Sequence, residues 1–86
     1  MDSKDKFKNT FIVKRDYLSF KIYINELLHL EIRMNNHDGV QAWYEGSGIN
    51  KMYYIEFYRQ IGEPITLEYD YVENWKAILK LIDENI

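Results

Sequence analysis

Strict alternation of apolar and polar side chains over two successive segments is the feature that most limits what this chain can fold into. In residues 17–25 the apolar side chains recur at even positions, namely Leu18, Phe20, Ile22 and Ile24. In residues 27–34 they recur in the same way at Leu28, Leu30, Ile32 and Met34. Because successive side chains of a β-strand point to opposite faces, both segments are predicted to be half-buried strands. Asn25 and Glu26 between them predict a tight hairpin.

Further strands are expected in the middle of the chain. The cluster at residues 35–39 is rich in residues that favour turns and leads into a predicted strand near residues 40–45. Residues 46–48 (Gly-Ser-Gly) end that strand as a hairpin turn, and residues 52–59 predict the next one from their Tyr, Ile and Phe content. A turn ending at Pro64 precedes a last strand near residues 65–69.

The final segment changes to helical spacing. Its apolar residues are Val72, Trp75, Ile78, Leu79 and Ile82, and Asp70 with Glu73 has the spacing of a helix N-terminal cap. The predicted fold is therefore α+β, an antiparallel β-meander of five or six strands with one C-terminal helix packed on a face.

The beginning of the chain adds one constraint on the meander. Phe11 and Val13 lie at odd positions, so a single strand running on into Leu18–Ile24 would place its apolar residues on opposite faces. A bulge or turn is therefore expected near residues 14–16. Residues 1–6 are polar and are expected to fray, and residues 1–86 are expected to form one domain.

Composition narrows the functional classes. The chain has no Cys, which excludes disulfides and thiolate chemistry, and neither a signal peptide nor a membrane-spanning apolar run is recognisable. We therefore expect a cytoplasmic protein without a membrane partner. Residues 1–21 carry six basic and three acidic groups, whereas residues 22–86 carry five basic and eleven acidic groups. The acidic remainder disfavours nucleic acid as the natural partner and favours a basic protein surface.

Groups that carry catalysis are sparse. His29 and Glu31 are predicted to lie on one strand face and have the residue types of a general base with its orienting carboxylate. Polar residues on the solvent-facing side of any strand give the same pattern. His37 and Asp38 lie in a predicted turn, and no other His or Cys completes a transition-metal set. The sequence therefore predicts a protein that is not an enzyme and that holds neither a metal nor a cofactor.

Aromatic residues are the one feature in excess, at 16% of the chain. Exposed Tyr and Trp give large contact areas at low entropic cost and are enriched at protein interfaces, although Tyr also covers two-sided sheets in small domains. The predicted partner-binding residues combine aromatic and charged side chains on outward strand positions: Tyr17, Tyr23, His29, Glu31, Arg33, Trp43, Glu45 and Glu56.

These features predict a non-catalytic protein-binding module. The expected type is a small inhibitor of a nucleic-acid enzyme, such as a toxin-immunity protein or a phage anti-restriction or anti-CRISPR protein, that docks on a basic partner such as a nuclease. One alternative is a single-stranded nucleic-acid-binding protein that uses sheet aromatics. In this alternative Tyr17, Tyr23 and Trp43 stack on bases, and Lys14, Lys21 and Arg33 meet phosphates. A second alternative is a self-assembling structural homodimer.

Overall fold

A computed structural model describes residues 9–86 of the chain, in which six strands are followed by one helix. The elements are β1 (Phe11–Arg15), β2 (Ser19–Ile24), β3 (Leu27–Arg33), β4 (His37–Glu45), β5 (Met52–Arg59), β6 (Ile65–Tyr69) and α1 (Val72–Asn85). Every pair of neighbouring strands is antiparallel. The predicted α+β class is confirmed. The predicted fraying of residues 1–6 lies outside the described residues.

The six strands form two sheets of three, an arrangement that is consistent with the predicted antiparallel meander. One sheet has the order β1-β2-β3 and the other the order β4-β5-β6. The chain correspondingly divides into two compact units, one ending at Met34 and the other comprising Asn35–Ile86. A single 3-10 turn at Met34–Asn36 stands between β3 and β4, where the sequence predicted a longer turn. That residues 1–86 form one domain stays a prediction.

In the first unit, Asp16 makes the predicted break between β1 and β2. Its Oδ1 accepts hydrogen bonds from the backbone N–H groups of Leu18 and Ser19, both at 2.8 Å. These bonds stabilise the carboxylate and hold the pKa of Asp16 below its usual range. Tyr17 and Leu18 consequently lie in the turn and are exposed, so their predicted place in the strand was wrong.

The hairpin between β2 and β3 is confirmed as a two-residue loop. Asn25 and Glu26 both have positive φ, at 51° and 72°, and Ile24 pairs with Leu27. Positive φ at both central residues is the signature of the type I′ turn that matches strand twist. The Asn25 side chain secures the loop, because its Oδ1 accepts a bond of 2.8 Å from the backbone N–H of Thr10.

A bulge at His29 follows from this hairpin. A two-residue loop pairs even positions of β2 with odd positions of β3, yet the buried apolar residues of both strands, Phe20, Ile22, Leu30 and Ile32, are even. The register shifts by one residue, so that Ile22 pairs with Leu30 and Tyr23 with Leu28. Leu30 is buried as predicted, whereas Leu28 is 54% exposed and its predicted inward position was wrong.

The hairpin supports a prediction about stability. A non-glycine residue in the left-handed region costs roughly 1–2 kcal/mol relative to glycine, and Glu26 has φ of 72°. We expect Glu26→Gly to raise the free energy of unfolding by about 0.5–1 kcal/mol. Urea unfolding of the variant beside Glu63→Gly, a change outside the strands and helix, provides the measurement. No gain, or an equal gain at both positions, would contradict the left-handed strain at Glu26.

In the second unit, β5 is the central strand and α1 packs against β5 and β6. Ile55 and Phe57 on β5 are buried, as are Ile78 and Ile82 on the helix. The Trp75 ring lies on the Tyr53 ring with their centroids 5.0 Å apart, which places the helix on the face of the sheet that carries Tyr53. The predicted packing of one helix on a sheet face is confirmed.

The observed bounds of β4, β5, β6 and α1 agree only in part with the predicted ones. The strands β5 and β6 have the predicted bounds, whereas β4 begins early, at His37, because Asp38 and Gly39 form a bulge with φ of 116° at Gly39. The predicted cap at Asp70 was wrong. Tyr71 is the N-cap residue and makes no side-chain cap hydrogen bond, and the N–H groups of Asn74 and Trp75 donate to the Tyr71 carbonyl.

Candidate protein-binding face

In the sheet of the second unit, successive side chains alternate between the buried face and the opposite face. Ile55 and Phe57 are buried, so the intervening positions of β5 and their partners on β4 and β6 project to the other side. We name this surface the acidic aromatic face, and it consists of Gln41, Trp43, Glu45, Met52, Tyr54, Glu56, Tyr58, Thr66 and Glu68.

A stacked pair of rings occupies the centre of the acidic aromatic face. Trp43 on β4 and Tyr54 on β5 are cross-strand partners, and their rings are 5.2 Å apart with an interplanar angle of 17°. Both side chains are partly exposed. Such a cross-strand pair stabilises the sheet by roughly 0.2–1 kcal/mol. It also holds the indole in one orientation before any partner binds.

Carboxylates lie around this pair. Glu45 and Glu68 are exposed, and Glu68 lies directly across from Tyr54 on β6. Burial raises the pKa of the Tyr54 hydroxyl, and the negative charges of Glu45 and Glu68 raise it further, since both disfavour a phenolate. The Tyr54 hydroxyl therefore stays protonated, and it donates a hydrogen bond to Glu45.

The third carboxylate, Glu56, is held by a hydrogen-bond network. The Tyr58 hydroxyl donates to Glu56 Oε1 at 2.6 Å, and the Thr66 hydroxyl donates to Oε2 at 2.9 Å. The Tyr58 hydroxyl also lies 2.9 Å from Oε1 of Gln41. These contacts fix the carboxylate across three strands, and they lower the pKa of Glu56 because Tyr58, and then Thr66, stabilise its charged form.

The charge on this surface has one sign. Its nine residues include three glutamates and neither Lys nor Arg. Negative potential therefore adds up over the sheet face. A rigid aromatic centre with carboxylates on both sides is chemically suited to contacting cationic side chains.

The Glu56 network supports a prediction about pH. Since the folded-state pKa of Glu56 lies below the unfolded value, its contribution to stability is complete above the unfolded pKa and is lost as pH falls through the folded pKa. We expect Tyr58→Phe to raise the Glu56 titration midpoint toward its usual range, near pH 4.3. Carboxyl-detected NMR titration measures this, with Tyr17→Phe as the control. An unchanged midpoint in Tyr58→Phe would contradict the role of the network.

The structure brings three of the eight predicted binding residues together on this face: Trp43, Glu45 and Glu56. The other five belong to the first unit. Tyr17 lies in the β1–β2 turn, Tyr23 and Arg33 lie on β2 and β3, and Glu31 pairs with Lys21. His29 is the bulge residue, and its partial burial lowers the pKa of its imidazole.

Sequence reasoning missed the other six residues of the face, among them Tyr54, Tyr58 and Glu68. The available signal was parity within β5. Within residues 54–58, the odd positions hold Ile55 and Phe57, whereas Tyr54, Glu56 and Tyr58 at even positions carry polar atoms. The sequence analysis predicted a strand over residues 52–59 from its Tyr, Ile and Phe content and did not assign these residues to faces.

Residues 9–86, which the structure describes, contain neither a metal-binding cluster nor a membrane-spanning helix. Within that range, no group of three or more His, Asp or Glu residues is arranged to hold a metal ion. No helix in the same range is long and apolar enough to cross a membrane.

Comparisons with known protein families, characterised proteins and solved structures give no match for this chain. Any assignment of function therefore depends on the chemistry of the described surface.

Proposed function

We propose that this chain is a non-catalytic protein-binding module, and that its acidic aromatic face docks on a basic surface of a partner protein. The observation that carries the proposal is the stacked Trp43–Tyr54 pair at 5.2 Å with Glu45, Glu56 and Glu68 on the same sheet face. This arrangement combines the side chains that dominate binding energies with charge that selects the partner.

The aromatic pair supplies the binding energy in this proposal. Binding hot spots are enriched in Trp, Tyr and Arg and lie near the centre of an interface. Trp43 is already held against Tyr54, and Tyr58 is held by Glu56 and Gln41, so little side-chain freedom is lost on binding. Preorganisation of this kind raises affinity because it reduces the entropic cost of association.

The carboxylates supply partner selection. Nucleic-acid enzymes bind phosphate backbones with clusters of Lys and Arg, so a surface with several carboxylates at fixed positions competes for the same cations. We therefore propose a nuclease or another nucleic-acid enzyme as the partner. An inhibitor of the toxin-immunity or phage anti-restriction or anti-CRISPR type, acting in the cytoplasm, is the role that fits this chemistry.

Capture with a tagged chain tests the proposal. Bacterial lysate is passed over the wild type, over Trp43→Ala and over Tyr17→Ala, and the retained proteins are identified by mass spectrometry. We expect a basic nucleic-acid enzyme on the wild type and on Tyr17→Ala, but not on Trp43→Ala. Retention that does not depend on Trp43 would overturn the proposed face. A chain that retains no protein and has the mass of a dimer would favour the self-assembly alternative.

A further inference from the structure

The sheet of the first unit places two lysines directly opposite each other. Lys14 on β1 and Lys21 on β2 are cross-strand partners. Like charges at directly opposite positions destabilise a sheet, whereas an anion bound between them would offset that repulsion. The register thus brings two cationic side chains together on one sheet face.

A small depression lies beside the two lysines. Its volume is about 130 Å³, and it is lined by Lys14, Arg15, Asp16, Ser19, Lys21 and Tyr23. Three of these residues are cationic and one is anionic, so the lining carries a positive charge. We propose that this depression binds a phosphate group, held chiefly by the Lys14 and Lys21 ammonium groups.

The carboxylates near the depression are already engaged. Oδ1 of Asp16 accepts the N–H groups of Leu18 and Ser19, which makes the Asp16 carboxylate part of the turn. The same carboxylate also interacts electrostatically with Lys21, and Glu31 lies opposite Lys21 on β3. Lys21 therefore has two acidic neighbours that partly offset its charge. We expect Lys14 to contribute more than Lys21 to the binding of an anion.

Tyr23 fixes the position of Lys14. The Lys14 Nζ lies 5.1 Å from the centroid of the Tyr23 ring, within the range of a cation–π contact. Ser19, which is only 9% exposed, also lines the depression, and its side chain is a hydroxyl. Ammonium groups and hydroxyls donate hydrogen bonds, and phosphate oxygens accept them.

Two sources of phosphate share this chemistry, namely free inorganic phosphate and the backbone of a single-stranded nucleic acid. Register places Ile12, Tyr23 and Leu28 in one row across the three strands, directly beside the lysine pair. An apolar row with a central aromatic ring is a surface on which bases rest when the adjacent phosphates are bound. The nucleic-acid stacking site expected from the sequence also included Trp43, which lies on the other sheet.

Amide NMR of the full chain tests the proposal. Inorganic phosphate is titrated at low ionic strength against matched chloride, using the wild type, Lys14→Gln and Lys51→Gln. Lys51 is the matched control, because its Nζ also lies over a tyrosine ring, 4.8 Å from the centroid of Tyr44. We expect saturable shifts at residues 14–21 in the wild type and in Lys51→Gln, and binding about tenfold weaker in Lys14→Gln, as for the loss of one charge-assisted hydrogen bond.

Lys21→Gln serves as a second variant, and we expect it also to weaken phosphate binding. Shifts that do not saturate, or binding unchanged in both Lys14→Gln and Lys21→Gln, would overturn the site. A parallel titration with oligothymidylate distinguishes the sources. If oligothymidylate binds more tightly than inorganic phosphate and Tyr23→Ala removes this difference, the ligand is a nucleic-acid strand. If the two bind equally tightly, the ligand is free phosphate. Trp43→Ala should bind phosphate like the wild type, so this result is independent of the proposed protein docking.

Discussion

Replacing Ile55 with alanine is expected to lower the free energy of unfolding by about 2–5 kcal/mol, the cost of truncating a fully buried aliphatic residue. Ile55 is 0% exposed on the central strand β5, where Ala42 and Leu67 are its cross-strand partners. Small domains have total stabilities near the lower end of about 5–15 kcal/mol, so this loss is a large part of the whole. Thermal unfolding should shift down by roughly 4–8 °C for each kcal/mol.

Ile49→Ala is the matched control, because it removes the same atoms from an isoleucine that is 99% exposed. We expect that change to stay within about 0.5 kcal/mol of the wild type. Urea unfolding monitored by tryptophan fluorescence and by circular dichroism measures both variants. Similar losses at the two positions, or a loss below about 1 kcal/mol at Ile55, would contradict the described core.

Replacing Trp43 with alanine is expected to weaken partner binding by at least about 30-fold, the effect of losing a hot spot worth 2 kcal/mol or more. The indole is held by its stack on Tyr54 at 5.2 Å and lies among the glutamates of the acidic aromatic face. Truncation removes the aromatic contact area and also frees Tyr54 to move. The dissociation constant for the retained partner, measured by calorimetry, gives the size of the effect.

Two variants separate binding from folding in this experiment. Tyr17→Ala removes an aromatic residue that is 89% exposed in the β1–β2 turn, and we expect it to bind the partner like the wild type. Glu45→Lys keeps Trp43 but reverses one charge of the face, and we expect weaker binding, chiefly through slower association. Equal affinity in wild type, Trp43→Ala and Glu45→Lys would exclude this face as the docking surface.

Much of the fold follows from local sequence patterns, because alternation and helical spacing directly record which side chains are buried. The bounds of β5 and β6 and the presence of α1 are examples. The bulge at His29 was also implied by the sequence, since a two-residue loop reverses parity while the apolar residues predicted to point inward on β2 and β3 are all even. The bulge is found only when the odd and even positions are counted across the two-residue loop. The sequence analysis did not make this count, so it missed the exposed position of Leu28.

The division into two sheets was not predictable by the same reasoning. Alternation assigns faces within each strand, but it does not specify which consecutive strands pair, and the 3-10 turn at Met34–Asn36 interrupts the order between β3 and β4. The site prediction shows the consequence. Trp43, Glu45 and Glu56 share a face, while Tyr23 and Arg33 belong to the other sheet.

Hydrogen–deuterium exchange of the chain bound to its captured partner tests the proposed docking most directly. The account predicts slower exchange on binding in residues 41–45, 52–58 and 66–68, which contain the acidic aromatic face, and unchanged exchange in residues 11–33. Protection confined to residues 11–33, with none in β4, β5 or β6, would contradict the proposed docking surface.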